Sequence, residues 1–436
     1  MKLNSKTNNW INWSGSVKCN PREILMPESQ QEIISIIQNC MVQKSSIRVV
    51  GSGHSFTELV ATSGTLVSLD LLKGITSDIK ADNVATVFAG TKLQWLGKKL
   101  LELNLAQENL GDIDVQSLAG AISTGTHGTG IKLGSVSNQI KEITLLTANA
   151  DVIVCSESIN SDIFKAAQIS LGTLGIITEI KLQLLPAYKL KYVKGKTTLD
   201  ECLYNIENYK TENRNFEFYW FPNTNIVQTK SMNITDEKIM KRSFFKYFND
   251  IILENVVFKL LSELCRIFPF LCKAVSKISA AAISTGVDIN FSAKIYATPR
   301  FVKFQEMEYS FPANNVVAIL NEIRECINTS YFNVHFPIEV RFVKADNIYL
   351  SPAFQRESVY IAIHMYKGME YKKYFEAIEN IFKKYDGRPH WGKIHTRTAK
   401  DFSQLYPMWN KFQDIRMQLD PEGLFMNDYL KKIMIQ

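Results

Sequence analysis

The sequence predicts an α+β protein of two domains. In the first 187 residues, short apolar strands run straight into turns of glycine and serine, whereas beyond Pro186 longer alternating strands are interleaved with amphipathic helical stretches. At 436 residues and 46% hydrophobic composition, the chain is long enough to bury two cores.

Pro27 is placed to open a helix, and Ile33, Ile34, Ile37 and Met41 fall on one of its faces before SSIRVV (45–50) turns into a short buried strand. GSGHSF (51–56) comes immediately after it. A Rossmann turn would carry a third glycine at position 56 and a long helix after it, but position 56 is Phe, Gly64 interrupts the next stretch, and a strand-like run returns at Leu66–Leu71. The turn also lacks the Gly-Lys-Ser/Thr of a P-loop, so both NAD and a P-loop are disfavoured. SLAGAISTGTHGTG (117–130) is a second tract almost free of bulky side chains, where backbone N–H groups and hydroxyls can make a concave anion site suited to a pyrophosphate.

EITLLTANADVIVCS reads as a hairpin turning near Asn149 and Asp151, with a short helix after it. In LGTLGIITEIKLQLLPA, Ile180, Leu182 and Leu184 alternate with Glu179, Lys181 and Gln183 up to Pro186, where the domain boundary is expected. In the second half, IEVRFV (338–343) sets Glu339 and Arg341 on one face and Ile338, Val340 and Phe342 on the other. SVYIAIHMY (358–366) does the same with Tyr360, Ala362, His364 and Tyr366. Helical patterns in NNVVAILNEIRECI and YKKYFEAIENIFKKY flank them, so a mainly antiparallel sheet covered by helices is expected.

Composition narrows the setting. Seven cysteines with no CxxC pair make a poor disulfide framework and suit reduced thiols in a cytoplasm. The first twenty residues match neither a signal nor a transit peptide. The uncharged stretch Val115–Ile131 is rich in Gly, Ser and Thr and does not read as a membrane span. Much of the net charge of +7 lies between Lys238 and Lys277, with eight Lys/Arg against three Asp/Glu among apolar patches. Such a stretch packs on its own domain or makes peripheral contact with an anionic membrane. No nucleic-acid-binding context surrounds it, and oligomeric state is not legible.

VVGSGHS paired with AGAISTGTHGTG resembles flavoproteins of the vanillyl-alcohol oxidase type. HFPIEVRF, LSPAFQRESVYI, DGRPHWGKIH and FQDIRMQLDPEGLFMNDYL resemble the sugar-1,4-lactone oxidases, the gulonolactone-oxidising members most of all. The likeness spans nearly the whole chain and is weakest at about residues 230–290. It implies a two-domain FAD-binding fold: an FAD domain over residues 1–187, a substrate domain over 188–385, and a C-terminal segment, 386–436, that returns to complete the active site.

The resemblance further implies FAD attached covalently through His54. Gly51, Ser52, Gly53 and Ser55 would contact the pyrophosphate from one side, and Ser117, Gly120, Thr124, Gly125, His127 and Gly128 from the other. Gly175 and Ile176 would line the adenine end, and His395 is counted with the cofactor-binding residues. Glu339 would anchor or deprotonate the sugar hydroxyls, Arg341 would supply positive charge, Lys393 would face the flavin N1 locus, and His364 would stand at the substrate. No metal is expected, since His390 and His395 fit no ligand spacing and His335 reads as structural. The implied reaction oxidises an aldono-1,4-lactone at the hydroxyl next to the carbonyl, with hydride passing to flavin N5 and O2 reduced to H2O2, giving an ascorbate-like product. The alternatives are an alditol or sugar oxidase, a lactone dehydrogenase using a cytochrome or quinone, and a non-catalytic membrane-associated binding protein.

Overall fold

A computed structural model of the chain describes residues 9–76, 82–240, 254–297 and 302–435. Near the N-terminus, helix Gln30–Val42 is capped by Ser29, whose Oγ accepts from Glu32 N–H at 3.2 Å. The helix buries Ile33, Ile37 and Cys40 rather than Met41, which is exposed because it lies off the 3–4 residue stripe that the first three define. The chain then enters strand Ile47–Val50, parallel to Thr65–Ser68, which pairs in turn with Glu23–Leu25. An antiparallel sheet stands beside it in the order Val84–Phe88, Ile176–Gln183, Ile140–Leu146 and Val152–Ser156. Its last two strands form the expected hairpin, turned by Ala150 at φ 65°.

The second half builds an eight-stranded antiparallel sheet. Its order is Gly286–Phe291, Lys189–Thr198, Ile226–Ile234, Asn215–Trp220, Ile338–Val343, Ser358–Tyr366, Phe304–Pro312 and Arg388–Pro389. Met307, Tyr309 and Phe311, with Ile338, Val340, Ile361 and Ile363, share a buried core with the apolar faces of helices Val316–Thr329 and Lys372–Lys384. The opposite face of the same strands therefore carries Glu306, Glu308, Glu339, Arg341 and His364, and it looks toward the first glycine turn.

The hydrophobic core beneath the two N-terminal sheets takes most of its residues from 33 to 190 and from 391 to 434, among them Trp391, Phe402, Phe412 and Phe425, with Met232, Ile295, Tyr296, Ile348, Tyr349 and Leu350 from between. The chain thus gives most of that middle stretch to the eight-stranded sheet and its helices and rejoins this core in force after Pro389. Trp391 marks the return, fully buried, with its indole N–H donating to Leu350 O at 2.7 Å. Of the basic stretch 238–277, residues 241–253 lie outside the described residues. Beyond them, helix Glu254–Ile267 leaves Val256, Val257, Leu260, Leu264 and Ile267 exposed. Among the described residues, no helix is long and apolar enough to cross a membrane.

Candidate active site

The two glycine-rich tracts face each other closely. A Cβ at Gly51 would stand 2.2 Å from Ser117 Oγ, so only a residue without one lets the tracts meet. Gly53 turns the chain at φ 68°. Trp13 N–H holds Gly53 O at 2.8 Å, and Asn12 Nδ2 holds Ser55 O at 2.9 Å. Between the tracts runs a groove of about 990 Å³, open to solvent and lined by Val49–Ser55, Ser117, Gly120, Thr124, Gly172 and Gly175.

Arg48, 2% exposed, organises the groove from behind. Its guanidinium donates to Leu59 O at 2.8 Å, Gly172 O at 2.9 Å, Leu171 O at 2.6 Å and Phe425 O, and so ties the first strand to the 171–175 turn and the C-terminal segment. Lys92 braces the first turn from outside, with Nζ 3.0 Å from Ser52 Oγ and 2.8 Å from Asp70 Oδ1.

His54, Ser55, Gln116 and Thr124 line the groove and also a second cavity of about 740 Å³ over the polar face of the large sheet. Strand register explains what fills this chamber. Glu306 pairs with His364, Glu308 and Glu339 both pair with Ala362, Tyr219 pairs with Glu339, and Glu217 pairs with Arg341, so one face stacks their side chains in adjacent rows.

Charges in the chamber are matched closely. Arg341 is gripped by three carboxylates, with Nη2 2.9 Å from Asp112 and in contact with Glu339, and Nε 2.9 Å from Glu217. Their combined charge holds the guanidinium pKa well above its usual value despite burial. Glu339 also accepts from Tyr219 O–H at 2.6 Å. Lys393 Nζ lies 2.5 Å from Glu306. Burial opposes ionisation of Glu306, yet Lys393 and His364 bring its pKa down to about 2.

Two histidines share one arrangement. His127 turns Nδ1 to Gly128 O at 2.8 Å and Nε2 to Glu308 at 3.3 Å. His364 turns Nδ1 to Pro337 O at 3.2 Å and Nε2 to Glu306 at 3.4 Å. A carbonyl can only accept, so each Nδ1 carries a proton and each Nε2 is the nitrogen turned to the carboxylate. His390 is neutral: burial pushes its pKa down to about 3, and its Nδ1 accepts from Gly392 N–H at 3.1 Å.

The expected site residues thus fall into three groups. His54, Gly51, Ser52, Gly53, Ser55, Ser117, Gly120, Thr124 and Gly175 line the groove, while Glu339, Arg341, Lys393 and His364 line the chamber. His127 lines the chamber rather than the groove, drawn there by Glu308 and by the Tyr360 ring at 3.9 Å. Gly125, Gly128, Ile176 and His395 line neither cavity. Gly128 is small because the Leu110 carbonyl would lie 2.2 Å from a Cβ, and Ile176 points into the core while its neighbour Ile177 lines the groove. His395 packs against Phe402 with Nε2 3.0 Å from Tyr429 Oη.

Sequence reasoning missed Arg48, Asp112, Gln116, Glu217, Glu306 and Glu308. A signal existed for two of them, since FQEMEYSFP alternates Glu306 and Glu308 against Met307 and Tyr309.

A model of the FAD binding domain matches residues 21–156, and the D-arabinono-1,4-lactone oxidase model matches residues 180–433. The chain is 35% identical to L-gulono-1,4-lactone dehydrogenase of Mycobacterium tuberculosis, over 98% of this chain and 99% of that one. It is 34% identical to L-gulonolactone oxidase of Mus musculus, over 97% of each, and 28% identical to D-arabinono-1,4-lactone oxidase of Candida albicans, over 94% and 87%. Cholesterol oxidase from B. sterolicum superposes with a TM-score of 0.83 at 16% identity, covering 98% of this chain and 97% of that one. That likeness shows the fold, the FAD-binding architecture of the vanillyl-alcohol oxidase type. The whole-length matches set aside the non-catalytic alternative, and the chain belongs to the D-arabinono-1,4-lactone oxidase family of FAD-dependent oxidoreductases.

Proposed function

We propose that the protein oxidises an aldono-1,4-lactone, of the L-gulono-1,4-lactone kind, at the hydroxyl next to the lactone carbonyl. The observation that carries this reading is the junction at His54, Ser55, Gln116 and Thr124, where a glycine-lined groove opens onto a chamber of carboxylates and cations. The groove fits FAD, because the tracts at 51–55 and 117–124 leave backbone exposed to a ligand on both sides. FAD held there would supply the acceptor for the hydride, with O2 as the proposed final oxidant and H2O2 as its product.

The chain's own residues do the rest. Glu339, oriented by Tyr219 and Arg341, takes the proton of the substrate hydroxyl. Arg341 fixes the carboxylates about the sugar, and His364 and His127 orient Glu306 and Glu308 through their Nε2 atoms. Lys393, which lines the chamber together with His54, favours negative charge at that end of it. His54 is the proposed point of covalent attachment. Its ring stacks on Trp13, and its nitrogens bond no other described residue. Burial, with Lys393 and Lys92, pushes its pKa down to about 4, which leaves the imidazole neutral, the form that a covalent link to the flavin would use.

The test is acid precipitation of the purified protein, then anaerobic mixing with L-gulono-, L-galactono- and D-arabinono-1,4-lactone. Colour retained in the pellet, lost from His54→Ala and bleached by a lactone is the expected result. Colour that no lactone bleaches overturns the reading. One mole of peroxide per mole of lactone marks an oxidase; dye reduction with little peroxide would instead favour the dehydrogenase activity named for the M. tuberculosis relative.

A second reading concerns place rather than chemistry. The exposed apolar row on helix Glu254–Ile267, with Phe268 and Phe270 beyond it and Lys259, Lys273 and Lys277 nearby, fits peripheral contact with an anionic bilayer. Co-sedimentation with phosphatidylserine vesicles that falls as salt rises and is lost in Leu260→Asp supports it. Absence of sedimentation at low salt removes it.

A further inference from the structure

Among the described residues, four groups of metal-ligating side chains are packed closely enough to hold an ion, and three of them lie at the chamber. Two of those three already have a cation, Arg341 for Asp112, Glu217 and Glu339 and Lys393 for the Glu306 group, and in the third, Glu308 already faces His127 Nε2 at 3.3 Å. The fourth group has no cation among the described residues. Cys265, Cys272 and His335 lie in the core of the substrate domain, Cys265 and His335 wholly buried and Cys272 1% exposed, with their donor atoms all within 4.8 Å of one another. Burial aside, the influences on the two thiols come from each other and from His335.

Hydrogen bonding fixes the state of the imidazole. Ser262 Oγ donates to Phe258 O at 2.7 Å, which spends its only proton. Ser262 can therefore only accept from His335 Nε2, 3.0 Å away, so Nε2 carries the ring proton and Nδ1 presents a bare lone pair. That lone pair faces Cys272 Sγ at 3.8 Å. A ligating histidine has this form: one nitrogen free, the other donating to a partner that orients the ring. In a tetrahedral zinc site, bonds of about 2.3 Å to sulfur and about 2.0 Å to nitrogen put the two donors roughly 3.5 Å apart. Cys272 and His335 are close to that spacing already, and Cys265 Sγ is within 4.8 Å of both.

We propose that Cys265, Cys272 and His335 form a structural zinc site, with the fourth position left to a water. Binding releases one proton from each thiol, and two thiolates, a neutral imidazole and Zn2+ sum to zero charge, as a buried site requires. The ion joins helix Glu254–Ile267 and helix Cys272–Ala281 to the segment that enters strand Ile338–Val343. Two residues beyond His335 lies Pro337, whose carbonyl receives His364 Nδ1, so the site braces the approach to the chamber from outside it.

The experiment uses the FAD-loaded full chain, purified under reducing conditions. Metal analysis should find one zinc per chain, and Co2+ added after chelation should give the intense thiolate-to-cobalt absorption in the wild-type protein. His335→Gln and Cys265→Ser/Cys272→Ser should each weaken retention about tenfold or more. Should these variants fail to fold, alkylation of wild-type protein with peptide mapping decides: zinc should protect Cys265 and Cys272, and chelator should expose them. Absence of both zinc and a cobalt–thiolate band, retention undiminished in the double serine variant, alkylation indifferent to zinc, or a Cys265–Cys272 disulfide would each overturn the proposal.

Discussion

Lys393 Nζ lies 2.5 Å from Glu306 Oε2, joining the C-terminal segment to strand Phe304–Pro312 through a buried ion pair on the chamber floor. Removing one partner strands the other, and a buried charge without its counterion costs about 3–5 kcal/mol. Lys393→Met should therefore lower kcat about 100-fold or more while FAD content holds, and the pH–rate profile should gain a new ionisation as Glu306 is released from its value of about 2. Steady-state kinetics across pH 5–9 checks this. An unchanged profile would remove Glu306 from the proton inventory of the site.

Arg341 answers to three carboxylates along two directions, and an ammonium can satisfy them along only one. We expect Arg341→Lys to cut kcat/KM about 100-fold with flavin content intact. Glu217→Gln, which loosens the guanidinium without touching Glu339, should give a smaller loss of the same kind. A double variant no worse than Arg341→Lys alone would show that Glu217 acts through Arg341.

These pairs also show what a linear reading can reach. Period-two alternation correctly grouped Glu339 with Arg341, and small-residue tracts marked the groove, because both signals are local. The other partners of Arg341 were not legible: Glu217 comes from a strand 124 residues away and is set opposite it by strand register, and Asp112 comes from a loop. Arg48 was hidden for another reason. Its partners are backbone carbonyls, which leave no trace in sequence. His127 misled because its glycine neighbours suggested phosphate, while Glu308 and Tyr360 decide where the ring lies.

Stability should fall as pH drops below 6.5. A buried histidine held near 3 stays neutral in the folded chain but takes a proton on unfolding, so its contribution is complete above its ordinary value of about 6.5 and drains away toward 3. Glu306 adds to the fall only below about pH 4.3, as the medium approaches its folded value of about 2. His390→Gln should accordingly flatten the dependence of unfolding free energy on pH between 4.5 and 6.5 by close to one proton, about 1.4 kcal/mol per pH unit. Denaturant titrations at four pH values in that range would reveal it, and an unaltered slope would mean that His390 takes up its proton in the folded chain.

Gly51 offers the sharpest test of the groove. Its backbone is not in the left-handed region, so alanine there meets no torsional objection; the obstacle is Ser117 Oγ, 2.2 Å from the new methyl group. Either Ser117 leaves its rotamer or the two tracts separate, and each response moves groups that line the dinucleotide groove. In a His54→Ala background, where flavin should bind reversibly, Gly51→Ala should weaken FAD binding about tenfold, and Ser117→Ala should restore most of it by removing the obstructing oxygen and leaving a Cβ 3.4 Å away. Flavin fluorescence titration reads both. If Gly51→Ala bound FAD normally, or if Ser117→Ala gave no rescue, the apposition of these two residues would not be what shapes the cofactor site.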